Sequence, residues 1–297
     1  MNSETPTATS PRIGYLLVAV AAVLWSSSGL FAKAPFFENW PEETRGVHLA
    51  FWRAVFASGV LVFLVRRPRF RWPMIPMTLF FVAMNYTFLT AMAMTTAANT
   101  IWLQHIAPVW IFLVGVFFLK EKVHRGDWTM MWLGLSGAGT ILAFELNGSA
   151  LPGVIFGVLG GVTFAGVVLS IRVLRKEDAA WLITLNHLVT VACFAPIVIS
   201  SGQYPNQLQL LLLAGFGIFQ MGLPYLLFAI ALRTIAGHQA SAIVLIEPIL
   251  TPLWVYLAWG GLPGYHPPQW WTYLGAGLIL IGLALRFLWF AKPHDEK

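Results

Sequence analysis

The sequence predicts an all-α integral membrane protein of ten transmembrane helices, arranged as two inverted five-helix repeats with both termini in the cytoplasm. Three observations carry that reading. Apolar residues make up 58% of the 297-residue chain and charged residues only 10%, with a mean hydropathy of +0.73. A soluble domain carries roughly 25% charge, and its surface needs polar cover that this composition lacks. Ten apolar stretches approach the ~20 residues a helix needs to cross the hydrocarbon core, and the two sets of five align in order at an offset near 140 residues.

The first stretch, 14–34, is longer than the 7–15-residue core of a signal peptide. It is expected to remain in the protein although Ala32-Lys33-Ala34 resembles a cleavage site. The second, 48–65, follows the longest connection, which carries Glu38, Glu42, Glu43 and Arg45. The third, 74–94, begins after four arginines and closes Ala-Met-Ala-Met; the fourth, 97–119, holds Pro108; the fifth, 127–144, holds Gly134, Gly137 and Gly139. The second set runs 152–173, then 181–200 with Cys193 and Pro196, then 208–232 with Gln220 and Pro224. It ends with 237–259, holding Glu247-Pro248, and 271–290, holding Gly275, Gly277 and Gly282. The prolines are expected kinks or hinges, Pro108 and Pro248 above all. The glycine-rich fifth and tenth stretches carry almost no polar side chains, which predicts peripheral helices with close-packing surfaces. The domain division is a tail 1–13, a repeat 14–146, an inverted repeat 147–290 and a tail 291–297, in a monomer or homodimer.

Orientation follows from the basic residues, which favour the cytoplasmic side. Ten spans place 15 of the 18 Lys and Arg on the side of the termini, two (Lys33 and Arg45) on the other, and leave Arg53 inside a span. That predicts a cell (inner) membrane protein with cytoplasmic ends. On these boundaries Arg53 lies about five residues from the outer end of its span, and His187 close to the inner end. Trp40, Trp72, Trp128, Trp181, Trp270 and Trp271 fall at expected span ends, where amphipathic rings sit at the headgroup level. The single Cys193 excludes an intramolecular disulfide and is expected to be a packing residue.

The repeat appears in four places. Gly14-Tyr-Leu-Leu-Val-Ala-Val-Ala-Ala-Val-Leu-Trp25 aligns with the run from Gly153 to Phe164, and Ala91-Met-Ala-Met94 with Ala229-Ile-Ala-Leu232. Pro108 aligns with Pro248, and Leu133-Gly134 with Leu274-Gly275. Five spans per copy is an odd number, so the second copy enters the membrane from the opposite side. Inverted repeats are characteristic of secondary transporters, whose substrate site lies at the midplane between the halves.

With its two five-helix halves, the Ala-Met-Ala-Met and Ala-Ile-Ala-Leu closures, the mid-helix Pro108 and Glu247-Pro248, and Lys120-Glu121-Lys122 after the fourth span, the chain resembles the EamA family of the drug/metabolite transporter superfamily. The resemblance covers nearly the whole chain. It implies a carrier of a small organic metabolite, an amino acid or similar amphipathic solute, with export expected. The ninth span ends Trp259-Gly260-Gly261, without the acidic residue the family often has there.

Ionisable groups at membrane depth are costly and therefore functional candidates. Glu247, near the midplane, suits a cationic substrate group or a transported proton; the alternative is a carboxyl bonded to a carbonyl that Pro248 leaves unpaired. His105 sits three residues before Pro108, and Asn99, Trp102 and His105 recur on one helix face, joining an amide, a large ring and an imidazole that ordinarily titrates near neutrality. His105 and Glu247 are the proton-coupling candidates. Trp25, its counterpart Phe164, Tyr86 and Tyr225 supply deep aromatic rings suited to organic cations or aromatic solutes, and Asn85 and Gln220 supply amides; helix packing is the alternative for each.

Other classes lack their signatures. There is no H-E-x-x-H and no G-x-x-x-x-G-K-[ST], so neither a zinc hydrolase nor a nucleotide-driven pump is expected. No basic domain outside the membrane points to nucleic acid. No metal or cofactor is implied. A channel or membrane sensor without carrier activity is the competing reading; the charge ring or pore loop of a channel is not evident.

Overall fold

The computed structural model describes residues 11–118, 120, 125–146, 148, 150–174, 176–231, 234, 235, 240 and 243–289. Among these every regular element is helical, and eight helices are long and apolar enough to cross a membrane. The expected tails fall almost wholly outside the described residues, as do most of 236–242, Lys122, Arg175 and Arg233.

α1 (Pro11–Ser26) passes into α2 (Ser28–Ala32) through a bend at Ser27. There the hydroxyls of Ser26 and Ser27 donate to the carbonyls of Val23 and Leu24, each at 2.6 Å; such back-bonding competes with the helical ladder and bends it. α3 (Glu42–Leu61) begins six residues before its apolar run. Pro41 precedes it and Glu42 and Glu43 occupy its first turn, where acidic side chains suit the positive end of the helix. α4 (Met74–Met94) follows, and then Thr96 caps α5 (Ala97–Gln104) by accepting from the Asn99 amide at 3.1 Å. α5 stops at His105, and α6 (Ala107–Phe117) starts with Pro108 in its first turn. Pro108 has no N–H to donate to the Gln104 carbonyl, and its ring crowds that turn, so the span opens there.

α7 (Arg125–Glu145), α8 (Leu151–Val173) and α9 (Ala179–Ser201) are continuous, α9 running through Pro196 and ending on Gly202 at φ 63°. α10 (Gln207–Gly215) starts with a capping box of Asn206 and Gln209. It continues as a π-helix, Phe216–Gly222, into α11 (Leu223–Ala231), whose first turn holds Pro224. α12 (Ile246–Trp259) begins after a turn at Leu245, and α13 (Trp270–Ala284) closes the bundle.

α4 is central and packs on α8, α3 and α9; α3 also packs on α9 and on the π-helix. α1 lies against α11 and α12, and α5 against α8 and α12. α7 and α13 pair at the periphery through glycines, where a Cβ at Gly137 would meet the Gly275 carbonyl oxygen at 2.4 Å. This part of the glycine surface is thus used inside the chain. Two expectations change. Trp40 is buried, with its ring 5.0 Å from Phe37 and 5.3 Å from His48, and so belongs to the core under the loop, not to an interfacial belt. Cys193 is exposed on α9 and packs in no core.

Candidate functional site

Two polar centres lie deep in the bundle. The first is built on Arg53. Because α3 begins at Glu42, Arg53 falls at the middle of the Glu42–Leu64 span, about 16 Å from its start at 1.5 Å per residue. The expectation of a residue near the outer end is corrected: the apolar run starts late because three of the first four residues of the helix are charged. Arg53 is only 2% exposed. It donates to the Gln220 side-chain oxygen at 3.1 Å and to the Asn85 side-chain oxygen, and its guanidinium lies 4.8 Å from the centre of the Phe216 ring. Gln220 in turn donates to the Trp25 carbonyl at 3.3 Å. The Trp25 ring meets Tyr225 edge-on at 5.1 Å and Phe228 at 5.2 Å.

Gly217 explains how these groups meet. A Cβ there would lie 2.6 Å from the Arg53 carbonyl oxygen. Only glycine lets the π-helix press against the backbone of α3 and bring Gln220 within reach of Arg53. Single-turn π insertions are frequent at functional sites.

The second centre is at the helix breaks. His105 caps the end of α5 and Glu247 stands in the first turn of α12. Their side chains approach to 3.8 Å, His105 Nε2 to Glu247 Oε2, while His105 Nδ1 contacts the Ile101 carbonyl at 2.9 Å. Twelve residues of helix separate Glu247 from Trp259, about 18 Å, so the pair is well inside the bundle. Beside it the Trp254 indole donates to the Ser26 hydroxyl at 2.8 Å, tying α12 to the bend of the first span.

A cavity of about 560 Å³ opens at the end of the bundle that carries Lys33 and Arg45. Its walls include Glu38, Glu42, Glu145, Ala98, Pro252 and Trp259. Burial, with Arg45 adding to it, brings the Lys33 ammonium down to about 8, with Glu42 and Glu38 partly offsetting. At the opposite end the connection between α3 and α4 is tied to the start of α9. The amides of Arg66 and Arg67 donate to Asp178 at 2.8 and 2.9 Å, the Trp181 indole donates to the Arg69 carbonyl at 2.8 Å, and Arg71 pairs with Glu177 at 3.2 Å. Burial pushes the Asp178 carboxyl up, but the four backbone donors of Arg66, Arg67, Ala180 and Trp181 outweigh it and hold the group below the usual carboxylate range. An ion pair of Arg286 with Asp127 fastens α7 to the π-helix Leu285–Trp289 that continues α13.

The expected site residues separate into groups. Trp25, Asn85, Gln220 and Tyr225 gather around Arg53, and Phe164 joins Tyr225 in the neighbouring cluster of Phe81 and Met84. His105 meets Glu247, and Trp102 is buried in the main core one turn before His105. Two lie elsewhere. Asn99 accepts from Thr272 at 2.7 Å and donates to Thr95 at 3.0 Å and to Glu145 at 3.4 Å, so it joins α5 to α7 and α13 instead of facing the His105 side. Tyr86, 36% exposed, turns outward and meets Phe156 edge-on at 5.6 Å. Arg53 is the residue that hydropathy alone missed. Pro41-Glu42-Glu43, a helix-start signal, would have moved the boundary and placed it at mid-span.

The family model described as "EamA-like transporter family" matches residues 12–143 and 151–288. A protein of Archaeoglobus fulgidus named "Uncharacterized transporter" is 26% identical over 175 residues, 59% of this chain and 63% of its own length, so the match spans less than two thirds of that relative. "Uncharacterized transporter YxxF" of Bacillus subtilis is 27% identical over 222 residues, 69% of this chain and 67% of its own. A solved crystal structure described only as that of a protein shares the fold at a TM-score of 0.66 and 18% identity, over 96% of this chain and 100% of its own.

Proposed function

This chain belongs to the EamA-like transporter family, and we propose that it is a proton-coupled secondary transporter that moves a small organic metabolite, an amino acid or similar amphipathic solute, out of the cell by alternating access. The observation that carries the reading is the meeting of two interrupted spans. α5 and α6 part beside Pro108, α12 begins beside Pro248, and His105 and Glu247 face each other across 3.8 Å at these ends. Discontinuous helices that place their ends at the midplane are how transporters build sites for substrate and coupling ion.

The arrangement of ten helices as two inverted five-helix repeats, with both ends in the cytoplasm of an inner membrane protein, is part of the proposal. The packing supports it. α4 lies on α8 as α11 lies on α1, and α5 lies on α8 as α12 lies on α1. α3 and α9, and likewise α7 and α13, each pack on their own counterpart. A pseudo-two-fold axis produces that pattern. One family model matching each half in turn supports the same reading.

On that topology the 560 Å³ cavity faces outward, and Asp178, Trp181 and Glu177 close the cytoplasmic end. Rocking of the halves about Pro108 and Pro248 exchanges the open end. Glu247 binds the proton and His105 receives it at the turn between helices, while Trp102, Trp25 and Tyr225 provide aromatic surface to the solute. The protein works as a monomer or homodimer.

Counterflow in proteoliposomes tests this. Vesicles preloaded singly with unlabelled amino acids or organic cations are expected to accumulate the labelled counterpart of one class saturably, and a pH gradient to drive uptake. Folded protein that exchanges nothing across the panel favours a channel or a sensor without carrier activity.

A further inference from the structure

We infer that Arg53 is the anion subsite of the transporter: its guanidinium receives the carboxylate of the transported solute, so solutes lacking a carboxylate are poor substrates. This deepens the function proposed above and rests on it. A guanidinium at mid-span is costly unless an anion balances it. Among the described residues no Asp or Glu pairs with Arg53; its hydrogen-bonding partners are the neutral amides of Asn85 and Gln220. These orient the cation without cancelling its charge. Its Nε is buried and unpartnered, so a donor remains free in a place where unmet donors are rare.

The surroundings match a bound anion on two further counts. His187 is fully buried, within electrostatic range of Arg53, and neither ring nitrogen has a partner. Across the site Tyr225 lies within electrostatic range of both Arg53 and Glu247. A solute between them presents its carboxylate to Arg53 and its ammonium to Glu247, with the Trp25 and Tyr225 rings beside its apolar part. Among the described residues the titratable groups facing Arg53 are thus His187 from α9 and Tyr225 from α11, and neither is an anion that already fills the role. The π-helix supplies the way in: returning Phe216–Gly222 to α-helical register swings Gln220 off Arg53 and frees the Nη1 donor as well.

The test is competition in proteoliposomes. Counterflow is measured with labelled L-leucine and L-phenylalanine, each competed with the free acid, its primary amide and the amine left by decarboxylation. Wild type is expected to prefer the acid by about 30-fold, as removing one partner of a buried charged pair costs about 2 kcal/mol. Arg53→Gln is expected to reduce the preference to threefold or less. Should that variant fail to fold, Asn85→Asp serves: a fixed carboxylate beside Arg53 is expected to abolish the preference while the protein remains folded. Exchange in which amide and amine compete as well as the acid leaves the carrier intact and overturns the subsite, as does a preference that survives both variants. Uptake that depends on chloride, with methanesulfonate as the replacement, and ignores the carboxylate overturns it in favour of an inorganic anion. No exchange of any of these solutes by folded wild type overturns the substrate reading and this inference together.

Discussion

Arg53 and Glu247 are both carried to the middle of the bundle, and the chain surrounds them in opposite ways. Arg53 sits on an unbroken helix, closed over by the π-helix, with two amides holding its donors and an aromatic ring against its face. Glu247 sits at a helix start, with the His105 imidazole 3.8 Å away as its side-chain neighbour and more surface left open. The difference is one of preorganisation. A group that never loses its charge is given a rigid frame of neutral dipoles. A group that exchanges a proton is placed where backbone is interrupted and can rearrange.

The comparison breaks first at Glu247. Glu247→Gln is expected to abolish pH-driven accumulation while thermal stability in detergent changes little; pH-driven uptake that persists in this variant removes Glu247 from the coupling. Asn85→Ala is expected to act on stability instead, lowering it by about 2 kcal/mol, because a buried charged donor loses its acceptor. A thermal midpoint equal to wild type shows that the amide frame is not holding Arg53. Gly217→Ala is expected to cost about 1–3 kcal/mol through overpacking, since its methyl group meets the Arg53 carbonyl; an unchanged midpoint shows that the π-helix is free to withdraw.

The smallest effect sharpens the comparison from the water side. Lys33, just past the observed end of the first span at Ala32, titrates near 8 instead of 10.5 because of burial and the Arg45 charge beside it. The folded protein therefore releases this proton before an unfolded chain does. The burial opposes folding fully below pH 8, and stability rises as pH climbs through about 8 to 10.5. Labelling of Lys33 by an amine-reactive reagent, followed by mass spectrometry, is expected to reach half its maximum near pH 8; a half-point near 10.5 places Lys33 in open water.

Much of the fold was legible because hydropathy is a local property. The span 74–94 was predicted to the residue and several others to within two or three, whereas the helix of 48–65 begins six residues earlier, at Glu42. The helix break beside Pro108 was legible because proline lacks the donor its turn requires. The site was only partly legible. Trp102 and His105 share a face by spacing, and so does Asn99, yet Asn99 is claimed by Thr272 and Glu145, partners on helices far away in sequence. Tyr86 follows Asn85 directly, and on a helix that neighbour points about 100° away, which here is outward. Arg53 was misplaced because averaging over apolar windows discards the charged first turn of a helix.

By itself the sequence determined the class and most of the membrane-crossing helices, because each is written in composition or spacing along one chain. Tertiary structure alone decided that Arg53 meets Asn85 and Gln220, that His105 meets Glu247, and that the end near Lys33 is open while the end at Asp178 is tied. Each joins residues from different helices. Which rows of side chains face one another is set by the packing of the whole bundle, and no local pattern encodes it.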